Sequence, residues 1–151
     1  DRDNYIELKD KLIELKNEKV ILIGVTFALL NLIEKFNFKL PNLTIVETGG
    51  MKGRRKEMIR NELHTKLING FGTNLICSEY GMTELLSQAY STNNGIFQCP
   101  PCMKIHIREH QDALSFKKNG ITGGVNVIDL ANINSCSFIA TEDLGKKNDE
   151  N

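Results

Sequence analysis

The chain has 151 residues and a mass of 17.0 kDa, a length that suits one domain burying roughly 70% of the surface its unfolded form exposes. Its 40% hydrophobic and 25% charged residues exclude the disordered, collagen-like and membrane-embedded classes. With 19 basic and 19 acidic side chains there is no net field to draw in nucleic acid, and no such partner is expected.

Tyr5, Ile6, Leu8, Leu12, Ile13 and Leu15 recur at helical spacing between charged residues and predict an amphipathic helix ending near Asn17. The apolar run over 20–25 is far too short to cross a bilayer, and no basic-then-apolar leader opens the chain, so a cytoplasmic protein without a membrane span is expected. A buried strand is predicted over 19–24, and Thr26 is placed to cap a helix over 27–36. Pro41 and Asn42 break the chain before a second strand over 43–46; Glu47 to Gly50 then turn into a helix over 55–68. Glycines 70 and 72 end that helix, a third strand covers 74–77, and 78–84 lead through a turn into a short helix ending near Tyr90. Strands alternating with helices predict a mostly parallel sheet flanked by helices.

After residue 95 the pattern changes. Residues 103–109 alternate apolar and polar, Lys118-Asn119-Gly120 reads as a hairpin-type turn, and 125–130 and 137–141 are further strands. The fold class is therefore α/β: a mostly parallel sheet flanked by helices, followed by an antiparallel β-rich C-terminal part. The chain reads as a single domain over 1–151, with an α/β portion over 1–95 and a β-rich portion over 96–151. It starts at Asp1 and ends in the polar run 146–151, and both ends are expected to be artificial edges.

In open α/β sheets, ligands bind beyond the carboxyl ends of the strands, and two loops leave such ends. The first, ETGGMKGRR over 47–55, joins glycines that allow close backbone approach to Lys52, Arg54 and Arg55, which suit phosphate or carboxylate groups. The same residues also suit a glycine turn followed by a solvated basic helix face. The second loop, SEYGMTE over 78–84, sets Tyr80, Thr83 and Glu84 around Gly81. Such a set can stack on a base, bond a phosphate and hold Mg²⁺, which takes one or two carboxylates plus substrate phosphates. Thr83 or Ser78 serves equally as a helix cap.

The order of these loops resembles the adenylate-forming superfamily of acyl-CoA synthetases, peptide-synthetase adenylation domains and luciferases. The motif is Tyr80-Gly81-Met82-Thr83-Glu84, preceded by Gly49-Gly50 and followed by Ala140-Thr141-Glu142-Asp143-Leu144-Gly145. The runs ETGGMKGRR, SEYGMTELLSQAYS and GGVNVIDLANINSCSFIATEDLG are most similar to the LuxE-type acyl-protein synthetases, over about 43–145. That resemblance implies ATP and Mg²⁺ as cofactors, with Gly49, Gly50 and Met51 lining the adenine and acyl pocket. Tyr80, followed by Gly81, would stack on adenine, Thr83 would touch phosphate, Glu84 would hold Mg²⁺ and Asp143 would bind the ribose hydroxyls. A carboxylate oxygen of a fatty or other acyl substrate would attack the α-phosphorus of ATP, and the acyl group would pass to a thiol-bearing acceptor such as a reductase protein. Catalysis of this kind is positioning and charge neutralisation, with no resident nucleophile.

Two elements of the superfamily are missing: the upstream Gly, Ser and Thr-rich phosphate loop and the C-terminal lid lysine. Nothing after Gly145 supplies the acyl-accepting cysteine of the LuxE-type proteins. The chain is thus expected to be part of a larger adenylate-forming domain, weakly active or inactive alone. The alternative is a non-catalytic nucleotide-binding or partner-docking remnant. A third reading takes Cys99-Pro100-Pro101-Cys102 with His106 and His110 as a zinc site; two thiols at a proline turn are favoured over it. The four cysteines, 77, 99, 102 and 136, are read as free thiols, Cys77 as core, and His64 as a surface or half-buried histidine.

Overall fold

The computed structural model describes residues 4–51, 53–92 and 95–148. Helix α1 (Tyr5–Glu14) is capped by Asn4, whose side-chain oxygen accepts from the Glu7 amide at 3.2 Å. Strand β1 (Val20–Val25) runs straight into α2 (Thr26–Lys35). Thr26 is the first helical residue rather than the cap, and its hydroxyl is spent on Glu47 at 2.9 Å. Strand β2 (Leu43–Thr48), helix α3 (Arg60–Phe71), strand β3 (Leu75–Tyr80) and the short β4 (Ala89–Ser91) follow. Gly72, left-handed at φ 63°, closes α3 by donating its amide to the Ile68 carbonyl at 2.9 Å.

The strand order is β1-β2-β3-β4, with β1, β2 and β3 parallel. The register sets Val46 beside Cys77 and Glu47 beside Ser78. Leu32, Ile45, Met51, Leu67 and Phe71 are 2% exposed or less, and Phe38 stacks on Phe71 with centroids 5.2 Å apart. Full burial of such a side chain stabilises by about 1.5–3 kcal/mol, which is what holds two helices on a sheet this small.

The second sheet is antiparallel, ordered β6-β5-β7-β8, from β5 (Met103–Glu109), β6 (Asp112–Phe116), β7 (Gly123–Asp129) and β8 (Phe138–Gly145). Met103, Ile107, Val125 and Val127 form its buried side. A 3-10 turn, Leu130–Asn132, follows β7. The chain divides into two compact units, one of Asp1–Tyr80 and Tyr90–Phe97, the other of Gly81–Ala89 and Gln98–Asn151.

Three further expectations need correction. No helix follows Glu84, because the Leu86 and Ser87 amides donate to the Asp129 carboxylate at 2.9 and 2.8 Å instead of to carbonyls one turn back. Helix α3 begins at Arg60, five residues later than expected at 55. The turn at 118–120 does not join neighbouring strands: β5 lies between β6 and β7, and the hairpin partner of β5 is β6.

Candidate functional site

Strand β2 ends at Thr48 and releases Gly49 and Gly50 at φ 69° and 60°. Side chains rarely tolerate that region, so the turn requires glycine for its conformation. A Cβ added at Gly50 would meet nothing within 4 Å, which leaves the backbone open to approach. Met51, by contrast, turns inward at 2% exposure and joins the core. The basic residues behind the turn are partly committed. Arg55 donates to both Glu34 oxygens at 2.6 Å and to Asn31, while Arg54 lies over the Phe27 ring at 4.7 Å. Arg55 thus ties the loop to α2 and is engaged by a protein carboxylate already. Lys52 lies outside the described residues.

The adjacent strand end carries Ser78, Glu79 and Tyr80. Thr48 Oγ1 donates to Glu79 Oε1 and the Tyr90 hydroxyl to Glu79 Oε2, both at 3.0 Å, so one carboxylate joins β2 to β4 across β3. The bond to Glu79, with burial and its charge, raises the Tyr90 phenol above its ordinary value. The Tyr80 ring meets Phe97 edge-on, centroids 6.2 Å apart at 69°, and the Arg60 guanidinium lies 5.0 Å over Phe97.

Below these ends is a polar cluster. Thr26 donates to Glu47 Oε2 at 2.9 Å, and His64 Nε2 lies 3.2 Å from Ser78 Oγ and 3.7 Å from Glu47 Oε1. Serine and carboxylate face the same ring nitrogen, whereas a nucleophilic triad places the acid on the other one. Ser78 is also only 1% exposed. The cluster therefore ties α2, α3 and the two strand ends together, and His64 is half-buried, as its sequence setting suggests.

In the second unit Gly81, Thr83 and Glu84 lie exposed on a turn, anchored by buried Leu85. The Glu84 carbonyl accepts from Asn132 Nδ2 at 2.7 Å. One exposed carboxylate with no partner of opposite charge within salt-bridge range among the described residues fits a cation that takes its other ligands from phosphates and water. Asp143 is exposed on β8, its amide donating to Thr141 Oγ1 at 3.2 Å, and Thr141 in turn donates to the Val125 carbonyl at 3.0 Å. Of the expected site residues, Gly49, Gly50, Met51 and Tyr80 belong to the first unit and Gly81, Thr83, Glu84 and Asp143 to the second.

Cys102 Sγ lies 3.2 Å from Ser87 Oγ, and His106 packs against Phe116 with centroids 5.2 Å apart. Among the described residues no group of three or more His, Cys, Asp or Glu is arranged to hold a metal ion. Sequence reasoning passed over Glu47, Glu79, Asp129 and Asn132. Their one signal is polarity within or just after strands that are otherwise apolar.

No family model and no curated protein matches the sequence. Among solved structures, ATP-bound MatB from Rhodopseudomonas palustris aligns with a TM-score of 0.67 at 16% identity, over 93% of this chain and 31% of that one. O-succinylbenzoate coenzyme A synthetase from Bacillus subtilis, solved with ATP and magnesium ion, gives 0.63 at 20% identity, over 95% and 32%. The McyG A-PCP structure complexed with phenylalanyl-adenylate gives 0.61 at 14%, over 95% and 31%. The chain shares its fold with part of each of these proteins and spans about a third of their length.

Proposed function

We propose that this chain is part of an ATP-dependent enzyme that activates an acyl carboxylate as an acyl-adenylate and passes it to a thiol, in the manner of an acyl-protein synthetase. The observation that carries the reading is the pairing of two parallel strand ends. One releases the left-handed Gly49-Gly50 turn and the other ends at Tyr80, in a fold that solved structures with bound ATP share.

In this reading Tyr80 offers its ring to adenine, Gly49 and Gly50 offer open backbone, and Met51 supports that turn from the core. Gly81 joins them in binding the nucleotide, Thr83 donates its hydroxyl to a phosphate oxygen, and Asp143 accepts from the ribose hydroxyls. Glu84 would hold Mg²⁺, which neutralises phosphate charge as the carboxylate oxygen attacks the α-phosphorus and pyrophosphate leaves. A fatty acyl substrate and a reductase-type thiol acceptor rest on the sequence resemblance. A second reading is a non-catalytic nucleotide-binding or partner-docking remnant.

The test is calorimetric titration of ATP with and without Mg²⁺, beside pyrophosphate exchange with a panel of fatty acids. Glu84→Gln is expected to abolish the Mg²⁺-dependent part of binding and leave the melting temperature unchanged, because the side chain is exposed. Wild-type binding that is indifferent to Mg²⁺ would sink the assignment. Mg²⁺-dependent binding without exchange marks part of a larger adenylating domain, and no binding at all favours the remnant.

A further inference from the structure

Strand β7 ends in Asp129, a carboxylate with 0% exposure. Oδ2 accepts from the Leu86 and Ser87 amides at 2.9 and 2.8 Å, and Oδ1 accepts from the Ser87 hydroxyl at 2.6 Å and the Ala131 amide at 3.1 Å. Three residues on, Asn132 Nδ2 donates to the carbonyls of Glu84 at 2.7 Å and Cys136 at 3.0 Å. These bonds hold the chain at and just after the exposed turn that carries Thr83 and Glu84. That turn belongs to no helix or strand, and segments without such pairing open most readily unless something else fixes them.

We infer that Asp129 and Asn132 are positioning residues that aim the Glu84 carboxylate. The inference rests on the reading of Glu84 as a magnesium ligand. The chemistry singles out a carboxylate at 129: four donors converge on its two oxygens, and only a carboxylate is acceptor-only at both. In Asp129→Asn the new NH₂ group would face N–H or O–H donors whichever way the amide is turned. At position 132 the need is reversed, since two carbonyl oxygens call for a donor.

The experiment compares ATP affinity with and without Mg²⁺ in Asp129→Asn, Asn132→Asp and Asn132→Ala, with melting temperatures recorded alongside. Groups that orient a metal ligand typically change metal affinity by about 10- to 100-fold, so the ratio of the two affinities is expected to fall by about that factor. Affinity for ATP without Mg²⁺ should stay near wild type. A merely structural role would lower both affinities together with the melting temperature and would overturn the inference. Should Asp129→Asn fail to fold, Asn132→Ala decides, because it deletes one amide and introduces no repulsion. An unchanged ratio in folded Asn132→Ala, with Glu84→Gln still abolishing the Mg²⁺ effect, overturns the positioning role and leaves the functional reading standing. Absence of any Mg²⁺ effect in the wild type overturns both.

Discussion

A carboxyl group buried as deeply as that of Asp129 is pulled in two directions. Burial raises it, and the hydroxyl and amide of Ser87 with the amides of Leu86 and Ala131 lower it by more, so it stays below the ordinary carboxylate value. A carboxylate lowered on folding contributes stability that is present above its unfolded value of about 3.9 and lost as pH falls through the lower folded value. Wild-type protein is therefore expected to exceed Asp129→Asn in stability by about 1–3 kcal/mol near pH 6, with the gap closing below about pH 4. Urea midpoints of the two proteins across that range check it. A gap that widens in acid would mean that the protonated group is the one the fold prefers.

At the scale of elements, α2 and α3 meet where Gly70 faces Ile33. A Cβ at residue 70 would stand 2.6 Å from the Ile33 Cβ and 2.7 Å from its Cγ2 and Cδ1. Replacing a helical glycine by alanine gains up to about 1 kcal/mol in propensity, but overpacking costs about 1–3 kcal/mol. The branch carbon of Ile33 cannot rotate out of the way, so the second effect wins. Gly70→Ala is expected to destabilise by about 1–2 kcal/mol in chemical unfolding, and Ile33→Ala in the same chain should recover part of the loss. Strictly additive losses would show that the helices do not meet there. Local signals make such elements legible: the β-branched runs of β1 and β2 and the stripe of α1 announce themselves within ten residues. The missing helix after Glu84 is illegible for the opposite reason, since Thr83 looks like a cap and the competing acceptor, Asp129, lies 42 residues beyond Ser87. Strand β6 escapes notice because Leu114 and Phe116 are both exposed, at 85% and 62%, and leave no inward alternation. The same division runs through the candidate site. Gly49, Gly50 and the Tyr80 to Glu84 run stand out as a motif, whereas the link from Ser78 to His64 and Glu47 depends on a parallel register that no local pattern encodes.

The whole chain presents a parallel sheet whose strand chemistry asks for cover on both faces. Helices α2 and α3 pack on β1, β2 and β3, and the inward side of β1 is half-buried at Leu22. The alternate residues Ile21 and Ile23 remain 67% and 61% exposed on the edge strand. An isoleucine gains about 1.5–3 kcal/mol from full burial, so the pair is a standing incentive for association. The chain spans about 31% of the solved structures it matches, and those two side chains are where its sheet has most apolar area left to cover. The isolated chain is therefore expected to bind a hydrophobic dye and to self-associate as concentration rises, read by fluorescence and sedimentation. Ile21→Thr with Ile23→Thr keeps two β-branched residues in the strand, so stability should move by less than about 1 kcal/mol, while Leu67→Ala, in the fully buried core, should cost about 2–5 kcal/mol. If the double variant binds dye as strongly as wild type, the adherent surface lies elsewhere. Leu114 and Phe116 of β6, an exposed apolar pair on the edge of the second sheet, would then carry it.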